Sequence, residues 1–190
     1  KRENVTATFF LLGCQLDTKF VSTGMTYQRY CEWVKRMFAE GHTVGIHDYN
    51  HIAYFKQTKS QLMDSFIYTR MRIKEVSGYD VSAYVRSPGG SISPETAAFL
   101  KENRYKHVFW NINPEPRPHL SPPEILKNIE ADISNGKRGI ILMHDRTASG
   151  YLSELIEYLK SRRINIISLQ EWETKYGLPE TVIVEHKEKF

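Results

Sequence analysis

Thr6-Ala7-Thr8-Phe9-Phe10-Leu11-Leu12 runs apolar and aromatic without a break as far as Gly13. A strand buried on both faces reads this way, and such strands lie at the centre of parallel sheets. Beyond it, Tyr30, Trp33, Val34, Met37 and Phe38 recur at helical spacing between about Thr26 and Glu40, and Gly41 supplies the stop. The rest of the chain repeats this strand-then-helix unit. Strands are expected over Thr43 to His47, Ser82 to Arg86, Lys106 to Trp110, Gly139 to Met143 and Ile164 to Ser168. Helices are expected over Ser60 to Ser77 before Gly78, from Ser93-Pro94 as cap and first position, over Glu124 to Ser134, and over Leu152 to Arg162. Alternation of this kind requires parallel strands joined by right-handed crossovers, so the class is α/β, as a doubly wound sheet or a barrel. After Gly177 the pattern weakens, with Thr181 to Val184 a candidate edge strand.

The 190 residues, 41% of them hydrophobic, suit a single compact domain spanning the chain. Twenty-six basic residues against 22 acidic ones leave a net charge of +4 without any basic run, which argues against a nucleic-acid partner. No apolar run approaches the ~18 residues of a membrane helix. Lys1-Arg2-Glu3-Asn4 is no signal peptide and reads as the end of a surface helix, so a segment upstream is expected. Cys14 and Cys31 allow at most one bridge and sit in no short-spaced motif, which favours buried thiols.

Parallel α/β folds build their sites at the carboxyl ends of strands, and there His47, Arg86, Trp110-Asn111 and His144 fall on four different expected strands. His47 and His51 stand four apart, so one turn or tight loop can aim both imidazoles at one metal ion. The same spacing occurs in zinc-protease helices, but the position of their glutamate is Asp48 here, and the segment begins at a strand end. His144 closes the strand Gly139 to Met143, where an imidazole suits proton transfer or simply caps the strand. Asp145 is a supporting partner or the cap of the next turn. Arg86-Ser87-Pro88-Gly89-Gly90 joins a fixed cation to a turn with few side chains, where a backbone N–H can approach a ligand. Trp110 places a flat aromatic beside amides, as in sugar-binding clefts, or serves equally well as a core tryptophan. His42 is expected to meet the end of the preceding helix.

Taken in order, Ala7 to Gly13, Gly41 to His51, Arg86 to Gly90, Trp110 to Pro114 and Leu142 to Asp145 resemble the polysaccharide deacetylases, the NodB-homology family or carbohydrate esterase family four. The resemblance covers about Val5 to Trp172. It implies a distorted (β/α)7-type barrel of parallel strands. It also implies a divalent metal, most often zinc with cobalt or nickel possible, held in part by His47 and His51. His144 matches the general acid, Arg86 the arginine that orients the base, Gly89 the oxyanion N–H donor, and Leu142 and Trp110 the lining of the acetyl pocket. Two departures stand out. The family's Thr-Phe-Asp-Asp-Gly motif, source of the base and a metal-binding aspartate, has no match in the chain, so the first strand-helix unit is expected to be missing. Asn113 stands where the family commonly has an aspartate supporting the catalytic histidine.

The resemblance implies removal of N-acetyl groups from an amino-sugar polymer such as peptidoglycan or chitin, at an extracellular or cell-envelope location. A barrel without activity that binds carbohydrate or a partner protein is the alternative, which the missing aspartates favour if the gene starts near Lys1. An O-acetyl esterase of the xylan type would use the same residues.

Overall fold

β1 (Thr8–Leu11) and β2 (Thr43–Ile46) lie parallel and in register from Thr8 opposite Thr43 to Leu11 opposite Ile46. They open the fold in a computed structural model of the chain, which describes residues 4–18, 26–115 and 119–177. β3 (Tyr84–Val85) and β4 (Lys106–His107) extend the sheet in the order β1-β2-β3-β4, every pairing parallel. All four strands therefore end on one side. Every residue of β2 is buried, and Gly45 within it has a steric reason. A Cβ there would lie 2.5 Å from the Tyr84 carbonyl oxygen and about 3 Å from the Phe10 ring.

The chain divides into two compact units, one formed by Val5–Val108 with the segment from Ile167 onward, the other by Phe109–Ile166. In the first unit, α1 (Tyr27–Ala39) is capped by the Thr26 hydroxyl and α2 (Lys59–Ser77) by a reciprocal Thr58–Gln61 box. α3 (Pro94–Glu102) starts from Ser93 with proline at its first position. Phe66 of α2 and Phe99 and Leu100 of α3 pack with Ile46 and Val85 in one cluster; Val34 of α1 and Ile73 of α2 pack with Leu11 and Val44 in another. These clusters fix where β1, β2 and β3 end, which is what positions the site.

The second unit holds α4 (Pro122–Ser134), α5 (Asp145–Ala148) and α6 (Leu152–Ser161) around Ile112, Ile125, Ile129, Tyr151 and Leu155. α4 begins two residues before the expected Glu124, because Ser121 and Glu124 form a capping box ahead of Pro122 and Pro123. Gly139 to Met143 makes only an isolated parallel bridge, Ile112 opposite Ile141. The Asn111 side chain takes the Ile140 N–H at 2.9 Å, so a side chain replaces the next backbone partner of the ladder. Ile164 to Ser168 forms no strand; Ile164 and Ile166 pack, partly buried, against the α4–α6 core.

α7 (Leu169–Tyr176), capped by Ser168, was not expected from the sequence and belongs to the first unit. Residues 181–184 lie outside the described residues. Cys14 and Cys31 are free, half-buried thiols. No helix among the described residues is long and apolar enough to cross a membrane.

Candidate functional site

In the first unit, the candidate residues grow out of the carboxyl end of β2. His47 N–H donates to the Leu11 carbonyl at 2.9 Å, continuing the ladder by one residue before the chain turns. His47 Nδ1 lies 2.8 Å from the Arg86 carbonyl oxygen. A carbonyl only accepts, so Nδ1 carries the hydrogen and Nε2 keeps its lone pair, the tautomer that suits a metal ligand. Burial pushes the His47 pKa down to about 4, so the ring is neutral at pH 7. The exposed His51 ring sits edge-on to it, with centroids 5.1 Å apart.

Two non-glycine residues of this loop hold positive φ, Asp48 at 84° and His51 at 63°. Each costs on the order of 1 kcal/mol or more and persists only where neighbours impose it. Asp48 is the neighbour that does so. It is 1% exposed. Its Oδ2 accepts the N–H groups of Asn50 and Ile52 at 2.9 and 2.8 Å. Its Oδ1 accepts the Ser65 hydroxyl at 2.5 Å and the Gln57 amide at 2.9 Å. Four donors occupy the roughly four acceptor sites of a carboxylate. Asp48 is thus a scaffold of the histidine loop and has no lone pair left over for a metal.

Arg86 follows β3 and is itself buried, its guanidinium 4.3 Å over the Phe10 ring and its Nε donating to the Val108 carbonyl at 2.9 Å. Burial lowers its pKa to about 10, which leaves it charged at neutral pH. Ser87 Oγ accepts the Tyr54 N–H, and Tyr54 in turn donates its hydroxyl to the Ile46 carbonyl, so the Arg86 turn and the histidine loop share supports. Gly89 is exposed at φ 71°, with no heavy atom within 4 Å of where a Cβ would stand. A backbone N–H there is open to close approach. His42 meets the end of α1 through its backbone, whose N–H donates to the Met37 carbonyl at 2.9 Å, while its ring accepts the Ala7 N–H at Nδ1 and packs edge-on against Phe9.

In the second unit, His144 is the residue from which α5 springs. Its Nδ1 is buried and lies 3.2 Å from Glu115 Oε2, an ion-pair distance without the alignment of a full hydrogen bond. Asn113, expected to support His144, is exposed, and its Oδ1 accepts the N–H of Glu115 at 3.3 Å. The carboxylate that faces the imidazole is Glu115. Asn113 and Pro114 form the turn that delivers it, and no spacing rule in the sequence marks it. Leu142 is buried beside the Ile112–Ile141 bridge. Trp110 is half-buried and stacks on Phe109 at 4.1 Å. Asp145 Oδ1 accepts the Arg146 N–H, which makes it part of the α5 turn.

His47 and His51 supply two imidazoles, a donor type that suits zinc, cobalt or nickel. Among the described residues no group of three or more His, Cys, Asp or Glu side chains is placed to hold a metal. The side chains present fit two ligand positions of such an ion.

Residues 1–108 match the family model described as "Polysaccharide deacetylase". The chain is 27% identical over 173 residues to the peptidoglycan-N-acetylglucosamine deacetylase PgdA of Listeria monocytogenes, covering 90% of this chain and 34% of that protein. It is 26% identical over 169 residues to the peptidoglycan-N-acetylmuramic acid deacetylase PdaC of Bacillus subtilis, covering 88% and 32% respectively. The chain thus spans about a third of the length of these curated relatives. Among solved structures, the Bc1960 peptidoglycan N-acetylglucosamine deacetylase superposes with a TM-score of 0.72 at 26% identity, covering 90% of this chain and 76% of that one.

Proposed function

The chain belongs to the polysaccharide deacetylase family, and from that premise we propose that it serves a metal-dependent hydrolase removing N-acetyl groups from an amino-sugar polymer of the peptidoglycan type. The observation that carries this reading is His47: half-buried, neutral, and with Nδ1 committed to the Arg86 carbonyl so that Nε2 is the available donor. A strand-end histidine serving only as a core residue would not need a partner at His51 on a strained loop held by four hydrogen bonds to Asp48.

His47 and His51 would hold the metal, zinc being the first candidate, and the ion when bound supplies Lewis-acid polarisation of the acetamide carbonyl. The chain's own residues do the rest of what can be assigned. The Gly89 N–H donates to the oxygen on which negative charge develops. Arg86 contributes a buried positive charge beside the histidine loop. Leu142 and Trp110 offer apolar surface to the acetyl methyl. His144 passes a proton to the departing amine nitrogen, which would otherwise leave as a poor anionic group. An envelope or extracellular location fits such a polymer.

Acetate release from N-acetylglucosamine oligomers, with zinc or cobalt added and His144→Ala as control, tests the reading. Release that His144→Ala lowers by roughly 100-fold or more supports it. Release unaffected by that substitution, or confined to O-acetylated xylan, overturns it. Absence of any release that the metal can restore would favour a carbohydrate-binding barrel.

A further inference from the structure

Glu115 is a carboxylate out of water, its side chain only 9% exposed, and isolating such a group costs several kcal/mol unless partners compensate. Thr147 supplies one partner: its Oγ1 lies 2.8 Å from Glu115 Oε1 and 3.1 Å from the His144 carbonyl. The other carboxylate oxygen faces His144 Nδ1 at 3.2 Å. His144 and Thr147 stand one turn apart across the start of α5, where the Thr147 N–H also donates to the His144 carbonyl. One short turn therefore offers the glutamate a hydroxyl and an imidazole together. Tyr151 lies near enough to feel the charge of the group. It is 2% exposed, its hydroxyl has no hydrogen-bond partner among the described residues, and the charge of Glu115 adds to burial in pushing its pKa up to about 12.

We infer that Glu115 is the positioning carboxylate of His144. It holds the hydrogen on Nδ1, fixes the ring against the α5 turn, and leaves Nε2 as the face that exchanges a proton. The support that the sequence assigns to position 113 is carried two residues further on, by a side chain one methylene longer than aspartate, because Asn113 is occupied in the turn before it. This inference rests on the reading of His144 as the acid, yet the ring can be tested without substrate.

The test is the tautomer of His144 in the neutral ring, read from side-chain nitrogen chemical shifts of uniformly nitrogen-15-labelled full chain at mildly alkaline pH, with His144→Gln used to assign the signal. The wild-type ring is expected to carry its hydrogen on Nδ1. Glu115→Gln keeps the shape and the acceptor for Thr147 but turns an N–H toward the ring, so the hydrogen should move to Nε2. Asn113→Ala and Thr147→Val should leave it on Nδ1. A wild-type ring protonated at Nε2 overturns the inference even if no variant folds, and so does a Glu115→Gln signal identical to wild type in a folded chain. Where acetate release is measurable, Glu115→Gln should lower kcat by about 100-fold with KM within about 2-fold, and a change confined to KM would count against it. An Nδ1-protonated wild-type ring that moves its hydrogen to Nε2 in Glu115→Gln, in a chain that releases no acetate, would sink the hydrolase reading and leave the role of Glu115 standing.

Discussion

Asp48 shows how much of the histidine loop depends on one side chain. Removing its carboxylate takes the acceptor from two half-buried backbone N–H groups and the buried Ser65 hydroxyl, while the Gln57 amide keeps the Ile52 carbonyl; a buried donor left unsatisfied costs about 1–3 kcal/mol, and less where water reaches it. Asp48→Ala is therefore expected to destabilise the metal-free chain by roughly 3–5 kcal/mol in urea unfolding, near the top of the range for single substitutions. Asp48→Gly loses the same bonds but relieves the backbone, since φ at this position is 84°. Left-handed geometry costs alanine about 1–2 kcal/mol, while the extra freedom of glycine in the unfolded chain returns about 0.5–1 kcal/mol of that. The glycine variant should thus be the more stable of the two by roughly 0.5–1 kcal/mol. Equal losses would mean that the strain inferred from φ is not stored there.

At the scale of elements, the β2–β3 approach is as tight as the loop is bonded. Gly45→Ala would bring a methyl to 2.5 Å from the Tyr84 carbonyl oxygen, and neither strand can shift without disturbing the Ile46–Val85 pairing. A loss of roughly 2–3 kcal/mol is expected from overpacking, read as a lower urea midpoint with an unchanged slope. The starts of α1 and α3 and the stop of α2 were legible in the sequence because their signals are local: Thr26, Ser93 and Gly78 act within a few residues of themselves, whereas α7 went unread despite its Ser168 cap. Strand extents were less legible, since two-residue β3 and β4 are set by partners far along the chain. The same distinction separates the site residues. His47, Arg86 and His144 announced themselves by ending apolar runs. Glu115 did not, because its approach to His144 depends on the Asn113-Pro114 turn and on a hydroxyl one helical turn beyond the histidine. Asp48 was visible only as a departure from a protease motif, and its bonds to Ser65 and Gln57 belong to tertiary structure.

On the scale of the whole molecule, the first unit is discontinuous: its strands come from Val5–Val108, yet α7 returns to it from beyond Ile167. α7 meets the sheet at the amino ends of three strands. Gln170 accepts the Thr43 hydroxyl at 2.9 Å, and Glu173 takes both the Tyr84 hydroxyl and the Lys106 ammonium. Those contacts lie at the opposite end of the strands from His47 and Arg86. Exposed ion pairs contribute only about 0–1 kcal/mol, so Glu173→Gln alone should cost little. Ending the chain at Ser168 is different, because it also removes the buried Leu169 and leaves Thr43, Tyr84 and Lys106 without these partners. In amide hydrogen exchange, protection is then expected to fall at Val44 and Val85, while Ile125 and Ile129, packed within Phe109–Ile166, keep theirs. A uniform fall across all four positions would show that the two units open as one cooperative body, and that α7 stabilises the chain as a whole and not the sheet that carries the histidines.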